Sequence, residues 1–164
     1  DLGIPQQAAT YLKTFDLQLA DLRSRVLPRD KPLTVVSWHA GMTAGSDTSF
    51  DALAGTLGLQ NLPAAQGRSG HFAVTGEQVV AWDPEVLVTA CLPTPPGDNR
   101  NGCLRAQVEL AAAPGIAATR AARHDGIVAI PGHMLFSSGS GMLDAANSMH
   151  TQLIERKLLR GVTP

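Results

Sequence analysis

The stretch that decides the fold is Glu85-Val86-Leu87-Val88-Thr89-Ala90 (residues 85–90), an apolar, β-branched run that follows the break at Asp83-Pro84. Two comparable runs occupy residues 33–38 and 126–130. None of the three alternates strictly between apolar and polar residues, which indicates strands that are buried on both faces. Because helical patterns separate these runs, we predict an α/β fold of three α/β/α layers around a mainly parallel sheet.

Helical periodicity accounts for most of the remaining chain. Between Ile4 and Val26, apolar residues recur at alternating steps of three and four, which predicts one long amphipathic helix. Shorter helical patterns cover residues 47–58, 75–82, 104–112, 115–123 and 144–159. We expect Ser46 or Asp47 to cap the helix that follows them, and residues 59–62 to form a short strand. We expect loops at residues 39–46, which are rich in glycine, and at residues 63–71.

Length and composition narrow the class of protein. The chain has 164 residues, 44% of them hydrophobic, which suffices for one domain with a buried core. Its 13 basic and 14 acidic residues leave a formal net charge of −1, and no basic cluster is interleaved with aromatic residues. We therefore expect no nucleic-acid partner. No apolar run approaches the roughly 20 residues of a membrane-spanning helix. No signal-peptide pattern is present, but an exported chain also lacks this pattern after its signal peptide has been removed.

The two cysteines lie at the ends of one loop. Cys91 ends an apolar run, and Cys103 follows the loop of residues 92–102. Their spacing is not CxxC, so the sequence does not indicate a zinc ribbon or thioredoxin chemistry. It favours a disulfide that restrains the loop in an oxidising compartment, with two free buried thiols as the alternative.

Three histidines mark the regions where a ligand is expected. His39, His71 and His133 each lie in or beside a strand-end loop, and open parallel sheets bind ligands beyond the carboxyl ends of their strands. With Met42 and Met134 they offer imidazole and thioether groups to a metal or to haem iron. No two of these histidines share a close fixed spacing, so an imidazole bonded to loop backbone is the alternative for each.

Aromatic residues accompany these histidines. Phe72 and Phe136 lie in loops that need not bury them, so each is a candidate to face a bulky ligand. Trp38, at the end of a strand, is better explained as a core residue. His124 and His150 lie in helical patterns, and we expect them at the surface.

Catalytic motifs are missing from the sequence. We find no GxSxG, HExxH, GxxxxGK[ST] or GxGxxG pattern. Ser137 or Ser138 beside His133 is a conceivable nucleophile and base, but nothing fixes a third, orienting carboxylate, although Asp47 and Asp144 begin helices near strand ends.

Several segments match the motifs of one protein family in order. Leu57-Gly58-Leu59-Gln60-Asn61 is similar to a "G-x-x-N" turn that follows a helix. Residues 74–88, VTGEQVVAWDPEVLV, are similar to an "S-x-E" motif followed by "P-D" and apolar residues, with Thr75 for the serine and Glu85 for the aspartate. Residues 121–131, AARHDGIVAIP, are similar to "A-V-K-x-G-x-V" followed by "P", and residues 141–153 match a final helix.

The ordered set resembles the C-terminal part of the class III periplasmic binding proteins, which serve bacterial ABC importers of iron-siderophores, haem and vitamin B12. The resemblance covers essentially the whole chain but only half of the family's usual protein. Two departures stand out: residues 92–103 look like an insertion, and Ser140-Gly141 replaces the common glycine-proline-arginine before the last helix.

The resemblance implies a division of the chain and a function. Residues 1–28 would be the connector helix between two lobes and residues 29–164 the C-terminal ligand-binding lobe, with the N-terminal lobe absent from this chain. The protein would be no enzyme and would need no cofactor of its own. It would capture an iron-siderophore, haem or cobalamin-type chelate, whose iron or cobalt is cargo, and deliver it to an inner-membrane ABC permease. The protein would then be periplasmic or exported, and associated with the membrane through the permease or a lipid anchor outside this chain.

Site residues also follow from the resemblance by position. Ligands of the family lie between the lobes, against strand-end loops that correspond here to residues 39–46, 70–72 and 133–140. The implied ligand-binding residues are His39, Met42, His71, Phe72, His133, Met134, Phe136 and Ser137, and no resident metal is expected. Glu77 matches a glutamate that docks to a permease arginine, although its place in a helix first turn is also explained by the helix dipole and by capping after Thr75. A haem- or metal-handling protein with direct histidine ligation is the first alternative function, and an α/β hydrolase-like enzyme is the second.

Overall fold

The computed structural model describes residues 4–92, 99–137 and 139–161. The helices are α1 (Ile4–Arg25), α2 (Ser49–Thr56), α3 (Leu62–Ala65), α4 (Gly76–Trp82), α5 (Asn99–Ala111), α6 (Arg120–Arg123), α7 (Gly132–Leu135) and α8 (Ser140–Glu155), with a 3₁₀ turn at Ile116–Ala118. The strands are β1 (Thr34–Ser37), β2 (Met42–Ala44), β3 (Gln60–Asn61), β4 (His71–Ala73), β5 (Val86–Cys91) and β6 (Ile127–Pro131).

Four of the strands form one sheet in the order β3-β1-β5-β6. All three pairings in it are parallel, and the register places Val36 beside Leu87 and Val88 beside Val128. The three apolar runs recognised in the sequence are β1, β5 and β6. The predicted α/β architecture with a mainly parallel sheet is therefore confirmed.

Both faces of the sheet are buried, as continuous apolar strands require. On one face, strand residues such as Val35, Val88 and Ile130 pack with α2 and α8 in the larger core cluster. On the other face, Val36 and Leu87 pack with residues of α4, the 3₁₀ turn and α6. Since neighbouring residues of one strand enter opposite clusters, the sheet is the middle of three layers.

The first helix touches the rest of the chain mainly through its carboxyl-terminal part. Leu22 is fully buried in the larger cluster. Leu12 and Leu17 are 59% and 63% exposed. The long amphipathic helix is thus present as predicted, but much of its apolar surface has no partner among the described residues. No helix in the described part of the chain is long and apolar enough to cross a membrane.

Some local predictions were wrong because the pairings involved are not local in sequence. The expected loop at residues 39–46 contains β2, and the expected loop at residues 63–71 contains residues 63–65 of α3 and the first residue of β4. These two strands pair antiparallel with each other, outside the main sheet. A three-residue strand has too little periodicity to be seen without its partner.

Helix boundaries also differ from the sequence prediction. Thr48, and neither Ser46 nor Asp47, caps α2, because its hydroxyl accepts a hydrogen bond from the backbone N–H of Asp51. The last helix begins at Ser140 and ends at Glu155, several residues earlier at each end than expected. The expected surface position of His150 is also wrong, since only 1% of this residue is exposed.

Candidate ligand-binding site

A cavity of about 360 Å³ lies beyond the carboxyl end of β1. Three segments enclose it: the exit of β1, the β2–β4 pair, and the turn that ends α7. The lining residues are Ser37, Trp38, His39, Ala40, Met42, Thr43, Ala44, Ser49, Phe50, His71, Val88, Leu135 and Phe136. This is the edge at which an open parallel sheet offers a ligand site.

The exit of β1 gives the cavity a fixed aromatic wall. The indole N–H of Trp38 donates a hydrogen bond of 3.3 Å to the carbonyl of Val74. A Cβ atom at Gly76 would lie 3.2 Å from the Trp38 ring, so glycine allows α4 to begin directly against the indole. Trp38 packs against the second core cluster as well as lining the cavity, so it is both a core residue and part of the wall.

The β2–β4 pair forms the second wall. Its register places Ala44 opposite His71 and Thr43 opposite Phe72. Side chains alternate between the two faces of a strand, so His71 and Phe72 point to opposite sides of the pair. His71 lines the cavity and Phe72 does not. The ring of Phe72 instead lies 4.2 Å from the guanidinium carbon of Arg68.

A buried asparagine holds this wall in place. The side-chain amide of Asn61 donates to the carbonyl of Ala44 at 3.1 Å and to a carboxylate oxygen of Asp51 at 3.0 Å. It thereby joins β3, β2 and α2, and only 5% of it is exposed. Sequence reasoning noted Asn61 only as part of a turn motif. The signal in the sequence was an asparagine within the predicted short strand of residues 59–62, where a side-chain amide needs hydrogen-bond partners if it is buried.

The third wall follows β6. The short helix α7 turns Leu135 into the core and leaves Phe136 62% exposed at the cavity. The ring of Phe136 contacts the imidazole of His39, with centroids 5.8 Å apart and an interplanar angle of 49°. Two segments that are 97 positions apart in the sequence thus meet across the cavity.

The other candidates from this segment do not line the cavity. Met134 packs against the larger core cluster, and His133 is exposed to solvent. The Ser137 hydroxyl donates to the backbone carbonyl of His133 and not to its imidazole. Ser138 lies outside the described residues. The structure therefore brings His39, Met42, His71 and Phe136 together, and separates them from Phe72, His133, Met134 and Ser137.

The chemistry of the cavity is apolar with a few polar groups. No Asp, Glu, Lys or Arg is among its described lining residues, which include the imidazoles of His39 and His71 and the hydroxyl-bearing Ser37, Ser49 and Thr43. Within residues 4–92, 99–137 and 139–161, no three His, Cys, Asp or Glu side chains converge as a metal-binding set. Such a cavity can hold an apolar or aromatic ligand and offer it two nitrogen ligands or hydrogen-bond partners.

Two further sequence predictions concern residues outside the cavity. Cys91 and Cys103 form a disulfide, which joins the end of β5 to α5. Glu77 is exposed in the first turn of α4, but the capping box there is formed by Thr75 and Gln78. Glu77 itself is therefore not a capping residue. Of the two structural explanations for a glutamate at this position, only the favourable interaction with the helix dipole remains.

Comparison with known proteins gives structural relatives only. No family model matches the chain, and no curated protein sequence matches it. The periplasmic haem-binding protein HutB of Vibrio cholerae is 26% identical and superposes with a TM-score of 0.69, over 91% of this chain and 57% of HutB. The periplasmic haem-binding protein RhuT of Roseiflexus sp. RS-1 is 23% identical with a TM-score of 0.68, over 92% of this chain and 58% of RhuT.

An ABC-type Fe³⁺-hydroxamate transport protein of Saccharomonospora viridis is 19% identical and superposes with a TM-score of 0.70. The match covers 90% of this chain and 49% of that protein. The chain thus spans about half the length of the solved structures it matches. Two of these structures are haem-binding proteins and the third belongs to a transport system, and none is described as an enzyme.

Proposed function

We propose that this chain, which has the fold of a single lobe of the class III periplasmic binding proteins, forms one side of a cleft for haem or an Fe(III)-siderophore chelate. The observation that carries the proposal is the apolar cavity between Trp38, His39 and Phe136 at the carboxyl end of β1. The protein would act in the periplasm or an equivalent exported location, as the substrate-binding component of an ABC importer.

The exposed aromatic ring supports a bulky, partly apolar ligand. Phe136 is 62% exposed and stands at the mouth of an apolar cavity, so a ligand that covers its ring would remove apolar surface from water. A cavity of about 360 Å³ is at the small end of the range of ligand pockets, which begins at about 300 Å³. It would therefore hold part of a large chelate, and the remainder would contact a second lobe.

Direct histidine ligation of haem iron is the second candidate function. It is favoured by the fact that His39 and His71 both line the cavity, on different segments of the chain. An imidazole nitrogen is a common axial ligand of haem iron. The two candidates differ in whether the iron of the ligand bonds to the protein or remains inside its chelate.

Fluorescence of Trp38 tests the proposed cleft. Trp82 does not line the cavity, and its indole N–H donates to the side-chain oxygen of Gln66. The substitution Trp82→Phe therefore leaves Trp38 as the only tryptophan in the sequence. We expect haem or an Fe(III)-hydroxamate siderophore to quench this signal saturably. Phe136→Ala should weaken binding about 10- to 100-fold, because a buried phenylalanine contributes about 1.5–3 kcal/mol. Leu17→Ala, which alters an equally exposed residue on α1, is the control.

Equal affinities for the Phe136 and Leu17 variants would contradict the assignment of the cavity. The haem Soret band then separates the two candidates. A Soret shift that is lost in His39→Ala or His71→Ala, but kept in the control His124→Ala, indicates histidine ligation of the haem iron. Quenching by a siderophore that survives both histidine substitutions supports binding of an intact chelate.

Delivery to a permease is the remaining element of the proposal. Glu77 would dock to a basic residue of the permease, since its side chain is exposed and makes no hydrogen bond or ion pair with the described residues. Glu77→Gln in the two-lobe protein should reduce transport in a reconstituted importer without changing ligand affinity. Unchanged transport would remove Glu77 from the proposal and leave the binding function standing.

A further inference from the structure

A tyrosine of α1 supplies the hydrogen-bond acceptor at the N-terminus of α8. The first N–H groups of a helix have no partner within the helix itself. The N-cap residue of α8 is Gly139, which has no side chain to accept from them. Instead, the hydroxyl of Tyr11 accepts a hydrogen bond of 2.9 Å from the backbone N–H of Ser140, 129 positions further along the chain. This hydroxyl therefore ties α1 to the first residue of α8.

Two glycines allow the close approach on which this contact depends. Gly139 has a φ of 68°, and a Cβ atom there would lie 2.7 Å from the hydroxyl oxygen of Tyr11. A Cβ atom at Gly141 would overlap the side chain of Ser137. The first turn of α8 thus contacts Tyr11 on one side and Ser137 on the other. Ser140 and Gly141 are also the residues that replace the glycine-proline-arginine common in the family that the sequence resembles.

Ser137 extends this line of contacts to the cavity. It follows Phe136 directly, and its hydroxyl donates to the carbonyl of His133 in the same turn. The ring of Phe136 lies against the imidazole of His39, with 5.8 Å between the ring centroids. Because Phe136 is 62% exposed, core packing does little to fix its ring, and the position of the ring depends on the backbone that carries it.

We infer that Tyr11 is a positioning residue for the candidate ligand site: its hydrogen bond to Ser140 fixes the first turn of α8 and thereby holds Phe136 at the cavity. The effect of Tyr11 on ligand affinity rests on the proposed function, whereas its effect on the Phe136 ring is a property of the unliganded chain. Coupling between two sites is reciprocal, so a ligand that contacts Phe136 acts on α1 through the same residues.

NMR of the His39 imidazole tests the positioning without any ligand. The ring current of Phe136 shifts the His39 signals, so Phe136→Ala gives the full effect of losing that ring. Tyr11→Phe, which removes only the hydroxyl, should shift the His39 signals in the same direction by a fraction of that effect. The matched control is Thr14→Val, which removes a hydroxyl of α1 that donates to the carbonyl of Thr10 in the same helix. It should leave the His39 signals unchanged.

Ligand affinity tests whether this positioning matters for binding. Quenching of Trp38 by an Fe(III)-hydroxamate siderophore is measured in chains that also carry Trp82→Phe. Tyr11→Phe should weaken binding about 2- to 10-fold, as the loss of one neutral hydrogen bond predicts. The same substitution in a Phe136→Ala chain should have no further effect, because the hydroxyl acts through that ring.

The outcomes separate this inference from the proposed function. Unchanged His39 signals in Tyr11→Phe would overturn the inference, whether or not a ligand binds. Equal affinities of the Tyr11→Phe and Thr14→Val chains would also overturn it, as would a Tyr11→Phe effect that persists in full without the Phe136 ring. Shifted His39 signals with no quenching of Trp38 by haem or siderophore would uphold the positioning of Phe136 and contradict the proposed function.

Discussion

Reduction of the disulfide between Cys91 and Cys103 should measurably destabilise the fold. The two cysteines are separated by 12 positions, and the loop between them joins β5 to α5. Closing a loop of this length removes about 3 kcal/mol of chain entropy from the unfolded state, according to the loop-entropy relation. For a chain of 164 residues, such a loss corresponds to a decrease in melting temperature of about 6–12 °C.

Thermal unfolding followed by circular dichroism, with and without a thiol reductant, measures this effect. Cys91 is only 3% exposed, so the comparison variant replaces both cysteines with alanine and leaves no buried polar group. Its melting temperature should equal that of the reduced parent chain and should not respond to reductant. A parent chain whose melting temperature is unchanged by complete reduction, verified by thiol titration, would refute the argument.

Two other predictions concern buried polar side chains. Asn61→Ala should reduce the free energy of unfolding, measured by urea denaturation, by about 1–3 kcal/mol, because it leaves the Ala44 carbonyl without its amide donor. The control Gln60→Ala, at the exposed neighbouring position, should change this free energy little. Equal effects of the two substitutions would refute the bracing role of Asn61. Burial, and next the charge of Arg25, lower the pKa of His150 from its ordinary value of 6.5, so the unfolded state binds an extra proton below that pH. Stability should therefore fall as pH decreases from 6.5 through the lowered pKa, by up to about 1.4 kcal/mol per pH unit, and His150→Leu should flatten this dependence; an unchanged slope in the variant would contradict it.

The sheet could be predicted from sequence because its signals are local. Continuous apolar runs at β1, β5 and β6 and the periodicity of α1 are properties of neighbouring residues. Pairing of β2 with β4 is different, because it joins segments about 30 positions apart that carry three paired residues each. Periodicity contains no information about such a contact, so the wall formed by Ala44 and His71 could not be derived in advance.

Some of the residues that line the cavity could also be named from the sequence. His39, Met42, His71 and Phe136 follow from the rule that ligands bind at strand ends, whereas Phe50 and Leu135 reach the cavity from helices. The rule gives a region but no side-chain direction. Phe72 packs against Arg68 and does not line the cavity, and α7 turns Met134 toward the core.

His150 had a local signal that helical periodicity could have used. Ala146, His150 and Leu153 are spaced by four and three positions, so they share one face of α8 with other buried residues. The polar character of histidine outweighed this spacing in the sequence interpretation. Its burial shows that position on a helix face was the better guide.

Methionine methyl NMR tests most directly whether the cavity is the ligand site. Met42 lines the cavity and is 43% exposed, whereas Met149 is fully buried in the core, so the two methyl groups report on different regions. With ¹³C-methyl methionine and a diamagnetic Ga(III) analogue of haem or of a hydroxamate siderophore, we expect a saturable shift of the Met42 signal and no change at Met149. A saturable shift at Met149 or at the core-packed Met134, with Met42 unchanged, would contradict the proposed site, as would no shift at millimolar ligand.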